Sequence, residues 1–464
     1  MARPEEYDLL ILGSGEAGKY LAWTLASEGK RVAVVERRYV GGSCPNIACL
    51  PSKNVIHSAK IASYLRRGAE FGLPAADGPI DMAAVRDRKR KMVEGLIEVH
   101  FRKYRASGAE LVMGVGRFTA PRTVEVALRD GGTRVLRGVN VVINTGSRAT
   151  IDATPGLRAS APLTHVEALE LDRLPEHLVV LGGGYVGLEL AQAFRRLGSR
   201  VTVVERNPAL VHREDPDVSD AMSRLFADEG IAVSTDTALD RVAGTSGAGV
   251  QLHGIRGAAG VVIEGSHLLV AAGRTPNTDG IGLEVAGVER DGRGYVKVDE
   301  QLRTSAAGVW AVGDCAGSPQ FTHIGFDDFR VARDNLAGGR RVTTGRQVPS
   351  CLFTDPELAR VGLSEREAKE RAIAYRLAKI PMAAVLRAQT LSETRGFLKA
   401  LVEEDGDRVL GFTAFGAEAG EVMAAVQVVM AAGLPYTALR DAVLTHPTIA
   451  EGLVVLFSTV PARL

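Results

Sequence analysis

An internal echo constrains this chain more than any other feature. The apolar run Tyr7-Asp8-Leu9-Leu10-Ile11-Leu12 enters Gly13-Ser14-Gly15-Glu16-Ala17-Gly18, a helical stretch to about Glu28, then Arg31-Val32-Ala33-Val34-Val35 closed by Glu36. Further on, Leu178-Val179-Val180-Leu181 enters Gly182-Gly183-Gly184-Tyr185-Val186-Gly187, a helical stretch to about Leu197, then Val201-Thr202-Val203-Val204 closed by Glu205. In each copy the closing acid stands 23 residues after the first glycine. Strand, G-x-G-x-x-G, helix, strand, acid is the dinucleotide-binding fingerprint in the context it requires. One glycine makes the tight turn, a second lets backbone reach the pyrophosphate, and a third lets helix pack on strand. The helix N-terminus then faces the phosphates, and the closing carboxylate accepts from ribose hydroxyls.

Two fingerprints in one chain predict a flavin and a nicotinamide, because a hydride must pass between them. The first copy is followed by features suited to FAD. Val141 to Ser147 is a strand ending in the turn Thr145-Gly146-Ser147, and Val309 to Asp314 is another ending in Gly-Asp, where a carboxylate can hold a ribitol hydroxyl. The expected map is an FAD domain over 1–150, a second dinucleotide domain over 151–275, a return to the FAD domain over 276–345, and a separate α+β domain over 346–464. In that last part, strands are expected near 374–380 and 397–402 and helices near 419–432 and 436–443. The stretch Val422 to Met430 is apolar on most faces, which fits core or a subunit interface.

Composition excludes several classes. Lys plus Arg is 56 and Asp plus Glu is 55, so no global charge draws the chain to nucleic acid or an anionic membrane. No apolar run reaches the ~18 residues that span a bilayer. The opening Met1 to Glu6 has no signal-peptide layout, and a cytoplasmic location is expected. Four cysteines, Cys44, Cys49, Cys315 and Cys351, exclude a disulfide-stapled scaffold. Cys315 and Cys351 read as structural, as do His57 and His323. The basic run Arg86 to Lys91 reads as the solvated face of a helix.

The stretch Gly41-Gly42-Ser43-Cys44-Pro45-Asn46-Ile47-Ala48-Cys49-Leu50-Pro51-Ser52-Lys53 carries the chemistry. On an ideal helix, residues five apart lie roughly 8–9 Å apart between Cα atoms, too far for a disulfide. A bridge therefore requires Cys44 to lie before the helix or in a distorted first turn. Cys49 near a helix start has its thiolate stabilised by the dipole, and Lys53 follows on the same face. No other Cys or His pair has zinc-ligand spacing, so no metal site is expected.

This segment resembles the active-site signature of the FAD-dependent pyridine nucleotide-disulfide oxidoreductases, the family of glutathione reductase, dihydrolipoamide dehydrogenase and mercuric reductase. The resemblance runs through nearly the whole chain, with Gly273-Arg274-Thr275-Pro276-Asn277, Gly313-Asp314, Phe353-Thr354-Asp355-Pro356-Glu357 and His446-Pro447-Thr448 followed by Glu451. It implies an α/β fold with two Rossmann-like domains, for FAD and NAD(P), and a C-terminal α+β dimerisation domain. It implies electron flow from NADH or NADPH through FAD to a Cys44–Cys49 disulfide and on to a disulfide substrate. Cys49 would be the flavin-proximal thiolate and Cys44 the interchange thiol. Lys53 would pair with Glu189, Tyr185 would cover the flavin until nicotinamide displaces it, and His446, oriented by Glu451, would be the acid/base. The FAD set is then Gly13, Gly15, Ala17, Gly18, Glu36, Gly42, Ser43, Lys53, Gly116, Thr145, Gly146, Ser147 and Asp314. The NAD(P) set is Gly182, Gly184, Tyr185, Val186, Gly187, Glu205, Arg206, Gly273 and Arg274. The implied assembly is a homodimer that shares its active site between subunits, without nucleic acid or membrane partners.

The histidine assignment has its own chemical basis, since a thiol exchange needs a proton manager with pKa near 7. Glu205 favours NADH by accepting a ribose 2′-hydroxyl, while Arg206 and Arg213 could accommodate a 2′-phosphate. The chain departs from common members at Pro45 and Ala48, and Ala48 is expected to stiffen a helix turn between the cysteines. The stretch Val460 to Leu464 holds no cysteine pair, unlike ordinary mercuric reductases. Gln320 to Arg330 and Ala432 to Asp441 resemble a bacterial branch of reactive-chlorine-resistance flavin reductases, linked to copper(II) reduction. A metal-ion or oxidant reductase using the same dithiol, or a redox-responsive binding protein, are the alternatives.

Overall fold

The computed structural model describes residues 3–463; Met1, Ala2 and Leu464 lie outside the described residues. Each apolar run of the echo is a parallel strand buried on both faces, as crossover-connected sheets require. In the first sheet the parallel order is Glu110–Ala120, Val32–Glu36, Glu5–Leu12, Thr133–Ile143 and Val309–Ala311. The strand Thr123–Leu128 lies antiparallel to the far ends of its two neighbours. Helix Glu16–Ser27 packs on this sheet beside helix Thr322–Leu336. The second sheet has the parallel order His267–Val270, His177–Leu181, Arg200–Val204 and Ala232–Ser234. Helix Tyr185–Leu197 leaves its central strand. A third, antiparallel sheet runs Ser350–Leu352, Glu357–Gly362, Val409–Gly416, Phe397–Glu403 and Tyr375–Pro381.

The echo extends to individual hydrogen bonds. In the first copy Glu36 Oε2 accepts from Ser14 N at 2.9 Å and Oε1 from Arg38 N at 2.7 Å. In the second, Glu205 Oε2 accepts from Gly183 N at 2.6 Å and Oε1 from Asn207 N at 2.8 Å. Gly13 and Gly182 both hold positive φ, 98° and 117°. A Cβ at Gly18 would stand 2.7 Å from Gly13 O, and one at Gly187 would stand 2.0 Å from Gly182 O. Only glycine lets these two helices start so close to their strands.

Two expectations need correction. Arg86 to Lys91, on helix Met82–Ser107, is a solvated face only in part, with Arg88, Arg90 and Lys91 exposed. Lys89 is buried and paired with Glu170, Arg86 meets Asp172 at 3.0 Å, and Arg88 donates to Asn54 Oδ1 at 2.7 Å. These cations tie the helix to Asn54 and to the entrance of the second domain. The helix expected over 436–443 is the single turn Thr437–Arg440. The apolar stretch Val422 to Met430 lies on helix Ala419–Ala431 and is core on one face. Val422, Met423 and Val426 are buried against the third sheet, while Val428 is exposed.

Candidate active site

The cysteines sit on two short pieces of helix rather than one. Ser43–Asn46 forms one turn, Ile47 and Ala48 leave helical geometry (φ −140° and −128°), and a second helix, Cys49–Arg66, begins at Cys49 itself. Ala48 therefore does not stiffen a helix turn between the cysteines; it stands in the break that separates them. Asn46 holds the entry, its Nδ2 donating to Val40 O at 2.9 Å and Gly42 O at 2.7 Å. A Cβ at Gly42 would stand 2.5 Å from Gly15 Cα, so the redox loop lies directly on the first fingerprint turn.

Both cysteines are free thiols, and their environments push them apart. The Cys49 thiol is pulled well below its ordinary range by a hydrogen bond from Cys44, against the cost of burial, with further help from the Thr322 hydroxyl and the Lys53 ammonium. Thr322 Oγ1 lies 3.3 Å from Cys49 Sγ. Cys44 is pushed up, first because it donates to Cys49 and then by burial. Cys49 also occupies the first position of an 18-residue helix, where unpaired backbone N–H groups favour an anion. One thiolate and one thiol side by side is the protonation state a dithiol needs to attack or release a sulfur.

The ultraviolet thiolate absorbance of the reduced protein should show one ionisation well below the ordinary cysteine range, and Cys49→Ser should remove it. Thr322→Val should move it up by about one unit, the scale of one hydrogen bond to a charged group. An unshifted midpoint in Thr322→Val would deny the hydroxyl that role.

Lys53 Nζ is 2.7 Å from Glu189 Oε2 and 4.6 Å from the centre of the Phe353 ring. Glu189 Oε1 accepts from Phe353 N at 2.9 Å. The ion pair thus joins the redox helix, the second fingerprint helix and the third sheet's leading loop. Tyr185 stands at the first position of the second fingerprint helix, its ring 6.4 Å from Phe321 beside Thr322. His446 Nδ1 is 3.0 Å from Glu451 Oε2. The His446 side chain is 61% exposed, and among the described residues Glu451 is its hydrogen-bond partner. The histidine is therefore not gathered with the two cysteines by this chain's own contacts.

The residues assigned to FAD fit a large anionic dinucleotide. Gly15 caps helix Glu16–Ser27 with no side-chain bond to its first N–H groups. The Thr145 hydroxyl is buried without a protein partner. Asp314 hydrogen-bonds Ser147, and Arg274 Nε lies 3.7 Å from it. Gly116 lies on strand Glu110–Ala120, where a Cβ would touch Leu12 and Val35. In the second fingerprint, Arg206 and Val186 are exposed, and Arg206 has no ion-pair partner among the described residues. Cys315 points into the core, its Sγ 3.3 Å from Val312 O. His57 is exposed, and His323 stacks on Phe321 and bonds Pro349 O at 2.9 Å.

Two site residues lie in stretches the sequence marks, but their roles there are not legible from it. Thr322 is 273 positions from Cys49, at the start of a helix that follows Gly-Asp. Asn144 donates to Gly13 O at 3.0 Å, holding the first fingerprint turn from the neighbouring strand end.

Residues 7–328 match the family described as pyridine nucleotide-disulphide oxidoreductase, and residues 348–456 match its dimerisation domain. The chain is 35% identical over 461 residues to the probable pyridine nucleotide-disulfide oxidoreductase RclA of Escherichia coli, covering 98% of this chain and 99% of that one. It is 37% identical over 451 residues to a mercuric reductase of Streptomyces lividans, covering 96% of this chain and 94% of the other. The solved Cu(II) complex of the HOCl-induced flavoprotein disulfide reductase RclA from Escherichia coli superimposes with a TM-score of 0.90 at 34% identity, covering 98% of this chain and all of that one. No described helix is long and apolar enough to cross a membrane. The chain belongs to the pyridine nucleotide-disulphide oxidoreductases, FAD-dependent enzymes that couple NAD(P)H to a disulfide, and it carries that family's dimerisation domain.

Proposed function

We propose that this protein uses NADH to reduce the Cys44–Cys49 disulfide and passes both electrons to a small disulfide outside the protein. The observation that carries this reading is Cys49 at the first position of helix Cys49–Arg66, with the Thr322 hydroxyl 3.3 Å from its sulfur and Cys44 on the turn just before it. Bound FAD supplies the two-electron relay between nicotinamide and the cysteine pair. Cys49, the thiol with the lowered pKa, faces that relay. Cys44 attacks the substrate disulfide and forms a mixed disulfide while one thiolate leaves. Cys49 then attacks Cys44 Sγ, releasing the second thiolate and restoring the internal disulfide. Lys53, fixed by Glu189, keeps a positive charge beside the redox helix. His446, with Nδ1 held by Glu451, presents Nε2 as the proton donor to the leaving thiolates. Its exposure on one protomer supports a site completed by the partner subunit, as do the exposed Val428, Leu434, Val443 and Val455 of the same domain.

NADH is the proposed donor because Glu205 is buried at a strand end with a carboxylate where a 2′-phosphate would sit. A second acceptor, copper(II), is favoured by one observation: a relative at 34% identity was solved as a Cu(II) complex. Two copper(II) ions would each take one electron from the dithiol and leave the disulfide. The test is anaerobic NADH and NADPH oxidation with a panel of low-molecular-weight disulfides and with copper(II). Fast turnover with one disulfide, lost in His446→Ala, supports the disulfide reading. Turnover with copper(II) alone, lost in Cys44→Ser, replaces it with metal reduction. Higher kcat/KM with NADPH overturns the nucleotide assignment.

A further inference from the structure

The phenol of Tyr185 is tied down at its far end. Its hydroxyl lies 3.3 Å from Glu214 Oε1 and 3.2 Å from Ser350 Oγ. Glu214 belongs to the loop after Glu205, in the second dinucleotide unit. Ser350 opens the first strand of the third sheet, in the C-terminal domain. Both are buried. The second oxygen of Glu214 is fully buried, and its charge partner is Arg360, whose Nε lies 3.2 Å away on the adjacent strand of the same sheet. Arg360 is itself fixed by Glu367, Nη1 to Oε2 at 2.6 Å.

A tyrosine in ordinary packing does not need this. Its ring already meets Phe321, and burial alone would accept a single partner for the hydroxyl. Here two side chains from different domains converge on one oxygen, and burial pushes the Glu214 carboxyl up while the Arg360 guanidinium beside it favours the charged form. Tyr185 stands between the second fingerprint turn and Phe321-Thr322, beside Cys49.

The geometry points to a latch: Glu214 and Ser350 hold the Tyr185 ring in its closed position, and the C-terminal domain, through Ser350 and Arg360, sets how readily nicotinamide displaces it. This rests on the reading, implied by the family resemblance, that Tyr185 covers the flavin until nicotinamide displaces it. Glu214, Ser350 and Arg360 are positioning residues, acting through the tyrosine. A closed ring taxes nicotinamide affinity by the fraction of open molecules. Losing one hydrogen bond of this kind should raise the open fraction by up to about tenfold.

The experiment is calorimetric titration of the oxidised holoenzyme with NAD+ and with NADP+, alongside KM and kcat for the reduced nucleotides. Tyr185→Phe keeps the ring and removes the hydroxyl. Tyr185→Phe, Ser350→Ala and Glu214→Ala should each bind the preferred nucleotide about three- to tenfold more tightly and lower its KM, and in Ser350→Ala and Glu214→Ala kcat for the disulfide half of the cycle should be little changed. Glu214→Gln keeps an acceptor oxygen and should stay within about twofold of the parent. Ser350→Ala removes one hydroxyl and keeps the fold testable if Glu214→Ala misfolds. Parent-like nucleotide affinity in both Tyr185→Phe and Ser350→Ala, with tighter binding in Tyr185→Ala, would overturn the latch and leave the gate standing. Parent-like affinity in Tyr185→Ala as well would overturn the reading on which the latch rests.

Discussion

Cys44→Ser is expected to lower turnover with disulfide acceptors by roughly four orders of magnitude or more, the scale on which loss of an attacking nucleophile acts in other enzymes. Reduction of the bound flavin by NADH should proceed at close to the parent rate. The asymmetry follows from the break at Ile47 and Ala48. Cys44 rides on its own turn, Ser43–Asn46, while Cys49 is anchored at the start of a long helix against Thr322 and Lys53. A serine at 44 can still donate to Cys49, so the thiolate environment survives. Its alkoxide is too basic to form at neutral pH, and oxygen cannot enter thiol–disulfide exchange. Stopped-flow reduction by NADH reports the first half of the cycle, and steady-state oxidation of NADH with a disulfide reports the whole. Parent-like steady-state activity in Cys44→Ser would sink the dithiol mechanism.

The second large effect is on stability. Lys399→Met is expected to destabilise the protein by about 3–5 kcal/mol, as removal of one partner from a buried ionic cluster does. Lys399 is fully buried on strand Phe397–Glu403. Its Nζ lies 2.8 Å from Asp215 Oδ2, 2.9 Å from Asp217 Oδ1 and 3.0 Å from Glu365 Oε1. Asp215 and Asp217 belong to the second dinucleotide unit, at the start of helix Pro216–Asp228, so the lysine bolts that unit to the C-terminal sheet. Without it, three carboxylates crowd together. Burial works to raise both aspartates, yet hydrogen bonds from Lys399, Lys379 and backbone N–H groups hold them below the ordinary value. Their folded pKa values are lowered. Their contribution is therefore present in full above the unfolded aspartate value near 4 and is lost as pH falls through the lower folded values. Denaturant unfolding at neutral pH should show the full difference between parent and variant, and the two should converge in strong acid. A variant within ~1 kcal/mol of the parent at neutral pH would show that the cluster does not clamp the domains.

The local parts of this protein were legible because local patterns encode them. A glycine spacing, an apolar run of four to six residues and a closing acid are contiguous, and each reports a backbone shape. Both fingerprints, their strands and the assignment of the cysteines to a helix start therefore needed no tertiary information. The errors had a common source. Ala48 was expected inside a helix because its neighbours suit one, whereas Ile47 and Ala48 leave helical geometry between the two helical pieces. The cations from Arg86 to Lys91 read as solvated because their carboxylate partners, Glu170 and Asp172, lie some 80 positions away.

By itself, then, the sequence determined the class of fold, the two dinucleotide turns, the family chemistry and the cysteine pair proposed to serve it. Only the tertiary structure decided what surrounds those groups. Thr322 reaches Cys49 across 273 positions, Lys399 reaches Asp215 across 184, and Ser350 reaches Tyr185 across 165. Such contacts follow from how sheets and helices of different units dock, and docking depends on the shape and charge of whole surfaces. No periodicity along one strand or helix carries that information, yet it sets which thiol ionises, where the domains are bolted and how Tyr185 is held.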